Sequence, residues 1–239
     1  MKDYYKILID GMDDTLTVTG IVRGVAWVGA ELSNGSFGIA MNTESESVQR
    51  MFTTLVGLKA KAAAQAVMSW NFNEASEAMA VINAFYNTPE RIKMLGYAAN
   101  SEKSCTYGMD IESKTVAMIG HLKPGVDALR GAKEVYIIER EPCDGDLPDS
   151  ACEYILPECD VVLITGSAAI NKTMPRLLEL SKNAKTIVIG PTVPMCPKLK
   201  ALGIDRLSGM AVADKAGIID WMQKVRGTPY PFGETFFID

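Results

Sequence analysis

The sequence has one histidine, His121, and it has neither a C-x-x-C pair nor a second histidine that could complete a metal site. Its five cysteines are an odd and widely spread set, and the spacing of Cys143, Cys152 and Cys159 matches no zinc pattern. We therefore expect no tightly held structural zinc or iron–sulfur centre, and we assign no metal ligands. Free thiols in this arrangement indicate a reducing, cytoplasmic location.

The sequence also lacks an apolar run of about eighteen residues, a cleavable apolar leader and an excess of basic residues. The net charge is −5, so the chain offers no basic face to nucleic-acid phosphates or to an anionic membrane. We expect no nucleic-acid partner and no membrane partner. A small-molecule ligand is the expected partner, and we expect the chain to form a homo-oligomer.

The fingerprints of common cofactor sites are incomplete. Gly120 and Gly125 have the outer spacing of G-x-G-x-x-G, but Leu122 occupies the middle position, where a side chain blocks close approach to a pyrophosphate. The same glycines fit the P-loop spacing, yet Val126 and Asp127 replace the lysine and the hydroxyl residue that hold phosphate and magnesium. No G-x-S-x-G elbow is present. We expect neither an ordinary NAD site nor an ATPase, and we name no cofactor.

Residues 1–95 have the pattern of an α+β unit. Alternating apolar and polar residues between 15 and 43, with the turn pair Asn34-Gly35, predict a three-stranded antiparallel meander. Helices are predicted over 58–69 and 73–86, and Asn73 is the predicted N-cap of the second. Residues 96–113 have little periodicity and are predicted to be the connection to a second domain.

Residues 114–239 alternate between strand and helix patterns, which predicts a parallel sheet with right-handed crossovers. The predicted strands lie at 115–119, 134–139, 160–165, 186–190 and 206–212, and the predicted helices lie near 124–131, 149–156, 171–183, 196–202 and 214–226. The aromatic, Pro-rich tail 228–239 is expected to pack on the body without regular structure. We expect 1–95 and 114–239 to form separate cores.

Polar residues follow several of these strands. Ligands of open α/β sheets bind outside the carboxyl ends of the strands, and the residues placed there are His121, Glu139, Thr165, Ser167 and Thr192. His121 could act as a general acid or base, as a metal ligand, or as a ring that stacks on a ligand. Glu139 lies nineteen residues after Gly120, where an acid can bind ribose hydroxyls.

Simpler interpretations of the same residues stay open. Glu139 could belong to a charged, solvated turn, and Ser167 or Asn171 could only cap a helix. A histidine that occurs once in a chain is often structural. The convergence of these residues on one edge of the sheet favours a site.

Four motifs, taken together, resemble those of one family. They are EREP at 139–142, GDLPD at 145–149, LPECDVVLITGSAAINKTMPRLLEL at 156–180 and IGPTVPMCPKL at 189–199. The set resembles the bacterial and archaeal family described as putative heavy-metal chelation. The resemblance implies an α/β protein in which an enolase N-terminal-like α+β domain precedes a Rossmann-like parallel-sheet domain. It also implies a methyltransferase-like cleft in which pterin-, flavin- or siderophore-like molecules are condensed or hydrolysed.

The combined interpretation is a protein that binds a small heteroaromatic or nucleoside-like metabolite between its domains, with acid/base-assisted hydrolysis or condensation as the favoured chemistry. The alternative is a non-catalytic protein that binds or delivers a heavy metal or its chelate. The predicted catalytic residues are His121 and Glu139. The predicted ligand-binding residues are Asn83, Gly120, Thr165, Gly166, Ser167, Asn171, Thr173 and Thr192.

Overall fold

The computed structural model describes residues 2–43, 49–100, 109–122, 128–143 and 145–239. The first half of the predicted helix at 124–131, with Gly125 of the incomplete fingerprint, lies outside these residues. Within them, no helix combines the length and the apolar character needed to cross a membrane.

The first part of the chain forms a small antiparallel sheet with helices on it. The strands run in the order β1-β2-β3, with β1 at Val18–Arg23, β2 at Trp27–Leu32 and β3 at Phe37–Met41. Gly35 has φ +86°, a conformation that a residue without Cβ adopts readily, so the chain can turn from β2 into β3. The helices are α1 at Lys2–Asp10, α2 at Ala60–Ala64 with a 3₁₀ turn at Gln65–Met68, α3 at Phe72–Tyr86 and α4 at Pro89–Met94.

Helix α3 is the central helix of the molecule. Every residue from Glu74 to Tyr86 is buried, as expected for a helix that is apolar on nearly all sides. The prediction of Asn73 as its N-cap is wrong. Asn71 is the cap, because its side chain accepts a hydrogen bond from the backbone N–H of Glu74 at 3.0 Å. Both asparagines suit this role by type, and only the backbone path selects between them.

The second part of the chain forms an eight-stranded sheet in the order β4-β11-β10-β9-β8-β5-β6-β7. Strands β5 to β10 pair in parallel, and β11 pairs antiparallel with both β10 and β4. The strands are β4 at Ala99–Asn100, β5 at Thr115–Ile119, β6 at Glu134–Glu139, β7 at Leu147–Pro148, β8 at Val161–Thr165, β9 at Lys185–Ile189, β10 at Arg206–Val212 and β11 at Gly233–Ile238; the helices are α5 at Cys152–Ile155, α6 at Met174–Leu180 and α7 at Lys215–Met222.

Two regions expected to be irregular contribute strands to this sheet. The tail forms β11, so the expectation that it lacks regular structure is wrong. The prolines at 229–232 favoured an irregular tail, but the alternating segment that follows them pairs with the open edge of β10. The segment 96–113 contributes the two-residue strand β4, which pairs with β11 through Ala99 and Asn100.

The chain changes direction across the sheet at β5. From β5 it proceeds through β6 to β7 on one side, and then returns to β8, β9 and β10 on the other. Such a reversal opens a crevice at the carboxyl ends of the two diverging strands, here β5 and β8. These two strands end at Ile119 and Thr165.

The expectation of separate cores is wrong, although the two sheets are distinct. One contiguous apolar cluster contains Leu8 and Met79 from the first part of the chain together with Ile164 and Phe236 from the second. A smaller cluster likewise joins Trp27 to residues of β10 and α7. The change of pattern near residue 95 predicted two sheets correctly, but it carried no information on which faces they share.

Asn83 of α3 and Asn87, the residue that follows the helix, link it to the larger sheet. The side-chain amide of Asn87 donates to the carbonyls of Val193 at 2.8 Å and Met210 at 3.1 Å, and its carbonyl accepts from the N–H of Met195 at 2.8 Å. The amide of Asn83 donates to the carbonyls of Ile39 and Thr192, at 2.7 and 3.1 Å.

Replacing Asn87 with Ala should lower the free energy of unfolding by about 3 kcal/mol, because two carbonyls and one N–H lose their partner in the interior. Asn83→Ala should cost less, about 1–2 kcal/mol, since its own Oδ1 is buried without a partner and only two carbonyls are affected. Urea unfolding of both variants measures the difference. Equal losses would show that the bonds of Asn87 do not distinguish it from Asn83.

Lys172 is a buried cation at the contact between the two parts of the chain. Only 8% of the residue is exposed, and it has φ +70°, a left-handed conformation that is strained for lysine. Its ammonium donates to the carbonyl of Ile170 at 2.6 Å and lies 5.8 Å from the Tyr5 ring and 5.6 Å from the Phe72 ring. Burial lowers the pKa of Lys172 to about 8.

The stability of the wild-type protein relative to a Lys172→Met variant should rise with pH between about 8 and 10.5. Below pH 8 the lysine is charged in both the folded and the unfolded state, and the folded state bears the desolvation penalty. Above pH 8, Lys172 loses its proton in the folded protein before it does so in the unfolded protein. The free-energy cost of burying a charged lysine therefore falls by roughly 3 kcal/mol. Urea unfolding at several pH values measures this, and parallel profiles for the two proteins would contradict it.

Candidate functional site

The turn after β5 brings His121 to the edge of the sheet. Gly120 has φ +95°, and a Cβ there would lie 3.1 Å from Cγ2 of Thr165. A side chain at this position would therefore be strained and would also press on the neighbouring strand. The N–H of Gly120 still donates to the carbonyl of Ile138 at 2.9 Å, so the ladder to β6 extends up to the turn.

Glu139 holds the backbone of His121. One oxygen of its carboxylate accepts the N–H of His121 at 2.9 Å, and the other accepts the N–H of Arg140 at 2.6 Å. The structure thus brings the two predicted catalytic residues together. The carboxylate of Glu139 ties the end of β6 to the turn after β5, which is a positioning contact.

The ring of His121 is oriented by Asp146. Its Nδ1 lies 2.9 Å from both carboxylate oxygens of Asp146, and the Asp146 side chain is only 3% exposed. The N–H of Cys143 donates to the same carboxylate at 2.9 Å. That N–H, and after it the His121 ring, hold the pKa of Asp146 below its usual range. A charged carboxylate therefore faces Nδ1 at neutral pH.

The other ring nitrogen, Nε2, makes no hydrogen bond to any residue that the structure describes. The His121 side chain is 28% exposed, so solvent or a ligand can reach it. A histidine held through Nδ1 by a buried carboxylate, with Nε2 open, is arranged to exchange a proton or to bind a ligand at Nε2.

Cys143 completes a compact group of donor atoms. One ligand atom each of His121, Cys143 and Asp146 lie within 4.8 Å of one another. Cys143 and Asp146 belong to one tight turn, in which the N–H of Asp146 donates to the carbonyl of Cys143 at 2.9 Å. The thiol residue is exposed.

The end of β8 lies beside this group. Thr165 is adjacent to Gly120, and its hydroxyl shares a hydrogen bond of 3.0 Å with the hydroxyl of Ser167. Gly166 packs against the loop after β9, where a Cβ would lie 2.8 Å from the backbone nitrogen of Val193. Thr165 and Ser167 are both partly exposed, and they lie at the end of β8, one of the two strands between which the strand order reverses.

The remaining predicted residues make hydrogen bonds within the protein. Asn171 accepts from the N–H and the hydroxyl of Thr173 at 3.2 and 2.7 Å, which forms a side-chain turn. Thr192 is 4% exposed, and its hydroxyl accepts from the N–H of Met41 at 3.0 Å. Asn83 is 1% exposed and donates to the carbonyl of Thr192. Asn83 and Thr192 therefore meet in a closed contact.

Sequence reasoning missed Asp146 and gave no functional role to Cys143. Asp146 lies in the GDLPD motif, which served only as a mark of resemblance, and Cys143 was judged by its spacing from other cysteines. A signal was present, since both residues follow β6 at the same sheet edge as His121.

Comparison with known proteins identifies the family. Two family models, each described as putative heavy-metal chelation, match residues 5–86 and 107–234. A crystal structure of a DUF364 protein of unknown function from Desulfitobacterium hafniense is 34% identical with a TM-score of 0.87, and the match covers 98% of this chain and 96% of that one. A DUF364 structure from Pyrococcus horikoshii, also of unknown function, shares the fold at 24% identity, with a TM-score of 0.80 over 98% and 97% of the two chains.

An uncharacterized protein of Methanocaldococcus jannaschii is 35% identical over 108 residues. This stretch is 42% of each chain, so the present chain matches less than half the length of that curated relative. The model that matches residues 107–234 covers more than half of the sequence, and the Desulfitobacterium structure matches nearly all of it. The chain therefore belongs to the DUF364 family, described as putative heavy-metal chelation.

Proposed function

We propose that this protein binds a small heteroaromatic or nucleoside-like molecule at the carboxyl edge of its larger sheet, and that His121 exchanges a proton with it through Nε2. The observation that carries the proposal is the contact of the Asp146 carboxylate with Nδ1 at 2.9 Å, at the point where the strand order reverses. The proposal includes a Rossmann-like arrangement for the larger sheet and an enolase N-terminal-like arrangement for the first 95 residues.

The acid/base role follows from the hydrogen bonding of the two ring nitrogens of His121. Asp146 accepts a hydrogen from Nδ1 and thereby keeps the lone pair of neutral His121 on Nε2. When Nε2 takes a proton, the charged carboxylate stabilises the resulting imidazolium. Hydrolysis and condensation both require a proton to move to or from an oxygen or nitrogen atom of the substrate. His121 can perform either transfer from its exposed side.

The binding role belongs to the groups that line the crevice. The hydroxyls of Thr165 and Ser167 can each donate and accept hydrogen bonds, as recognition of a ring nitrogen or a carbonyl requires. Because residue 120 is glycine, no side chain fills the base of the proposed crevice beside Thr165. In this proposal Glu139 positions His121, while Asn83 and Thr192 hold the loop after β9 and do not touch the ligand.

In the wild-type protein, the neutral form of His121 should carry its hydrogen on Nδ1. The chain has one histidine, so untagged protein gives one set of imidazole ¹⁵N signals in NMR, and these signals report the tautomer directly. Asp146→Ala should shift the population toward the Nε2–H tautomer. Glu139→Gln is the matched control and should leave the tautomer unchanged, because Glu139 contacts the backbone of His121 and not its ring. An Nε2–H tautomer in the wild type would contradict the acid/base role.

The ligand class can be tested with the same imidazole signals. Untagged protein is mixed with a panel of pterins, flavins, nucleosides and catechol-type siderophore fragments, and a true ligand should shift the His121 signals. Thr165→Val should weaken its binding about tenfold, since one hydrogen bond to the ligand is lost. The control Thr19→Val removes an exposed hydroxyl of β1 and should have no effect.

Turnover of that ligand separates catalysis from binding. His121→Asn should retain binding within a few-fold and lose roughly 10²–10⁴ in rate, the usual contribution of a general acid or base. Tight binding of a ligand that leaves the His121 signals unmoved would place the site elsewhere.

A further inference from the structure

We propose that His121, Cys143 and Asp146 form an exchangeable site for a thiophilic divalent cation of the zinc and cadmium class. The inference rests on the donor set and its geometry and does not require the ligand proposed above. The three side chains offer an imidazole nitrogen, a thiol sulfur and a carboxylate oxygen, and these atoms lie within 4.8 Å of one another.

The geometry needs only a small adjustment to close on a cation. Zinc takes nitrogen and oxygen at about 2.0–2.2 Å and sulfur at about 2.3 Å, so tetrahedral ligation separates its donor atoms by roughly 3.3–3.6 Å. Nδ1 of His121 and the oxygens of Asp146 are already 2.9 Å apart. The sulfur of Cys143 lies within 4.8 Å of the other two donor atoms, so it must approach by at most about 1.5 Å to reach ligation distance, and its residue is exposed.

The type of donor limits the type of cation. Magnesium and calcium prefer oxygen ligands alone, whereas a thiolate with an imidazole favours zinc and heavier thiophilic ions. Three protein ligands also leave one tetrahedral position open, as in catalytic zinc sites, while structural zinc sites have four protein ligands. An open position lets a small chelator bind the same cation. The expectation of no tightly held structural metal is compatible with such a site and stays a prediction.

The other described cysteines are poor candidates for this role. Cys152, Cys159 and Cys196 are buried, and burial raises the pKa of Cys152 and of Cys159 to about 11. A thiol must lose its proton to ligate a metal, so burial opposes metal binding at these positions. Cys143 is the exposed thiol among the described residues.

A cation at Nδ1 replaces the hydrogen that otherwise lies between His121 and Asp146. The metal-bound state and the proposed acid/base state are therefore alternatives at one atom. Cys143 belongs to the first state only, because in the acid/base state its thiol has no assigned role. This difference makes a Cys143 variant the decisive one.

The test uses untagged, reduced, full-length protein treated with a chelator and then titrated with Cd²⁺. We expect one Cd²⁺ per chain, with a thiolate-to-cadmium charge-transfer band in the ultraviolet, and expect Zn²⁺ to compete for the site. Cys143→Ser should abolish the band, and His121→Asn or Asp146→Asn should weaken affinity at least tenfold. Asp149→Asn is the control, since it removes an exposed carboxylate from the same loop and should change nothing. Thermal denaturation of each metal-free variant checks that the fold is intact.

Three results would overturn the inference. They are the absence of stoichiometric Cd²⁺ binding, a charge-transfer band that persists in Cys143→Ser, and an equal loss of affinity in Asp149→Asn and Asp146→Asn. The His121 tautomer is measured on the same metal-free samples. A failed titration with an Nδ1–H tautomer would refute the metal site and leave the acid/base proposal standing.

Discussion

The burial of helix α3 is the constraint on which the rest of the structure depends. A helix whose residues from Glu74 to Tyr86 are all buried must be covered on every side, and one small antiparallel sheet cannot do this alone. Helix α2 and the 3₁₀ turn at Gln65–Met68 pack on its other sides, and the end of the helix reaches the loop after β9, so the apolar core runs through both parts of the chain. The buried side chains of Glu74, Ser76, Glu77 and Asn83 then need partners in the interior, and each of these four has at least one.

Those partners shape the molecule beyond the helix. Glu74 accepts the N–H groups of Met51 and Phe52, both at 2.8 Å, and Glu77 pairs with Arg23 and Arg50. Asn83 and Asn87 reach the loop after β9 and fix it against the small sheet. A loop at the carboxyl edge of the larger sheet is thus held by a helix from the other half of the chain. The packing of α3 therefore also fixes the position of a loop that lies beside the candidate site.

At the site itself, one atom has two proposed uses. Nδ1 of His121 faces the Asp146 carboxylate, and a proton or a divalent cation can lie between them. The proton-bound arrangement leaves Nε2 free for acid/base chemistry, and the cation-bound arrangement recruits Cys143. The family description refers to heavy-metal chelation, and the cation-bound arrangement would correspond to it. The proton-bound arrangement corresponds to the small-molecule proposal, and the two can be tested at different residues.

By itself, the sequence determined the elements and the edge at which to look. Hydrophobic periodicity is local, so it located β5, β6, β8, β9 and β10, and parallel pairing then placed His121, Glu139 and Thr165 at one edge. Only the tertiary structure decided which polar groups touch. Asp146 is twenty-five residues from His121, and its carboxylate reaches the ring because a tight turn and a short strand after β6 fold it back. The burial of Asn83 and Thr192 and the apolar cluster shared by both parts of the chain were decided in the same way, since each depends on contacts between distant segments that leave no periodic mark in the sequence.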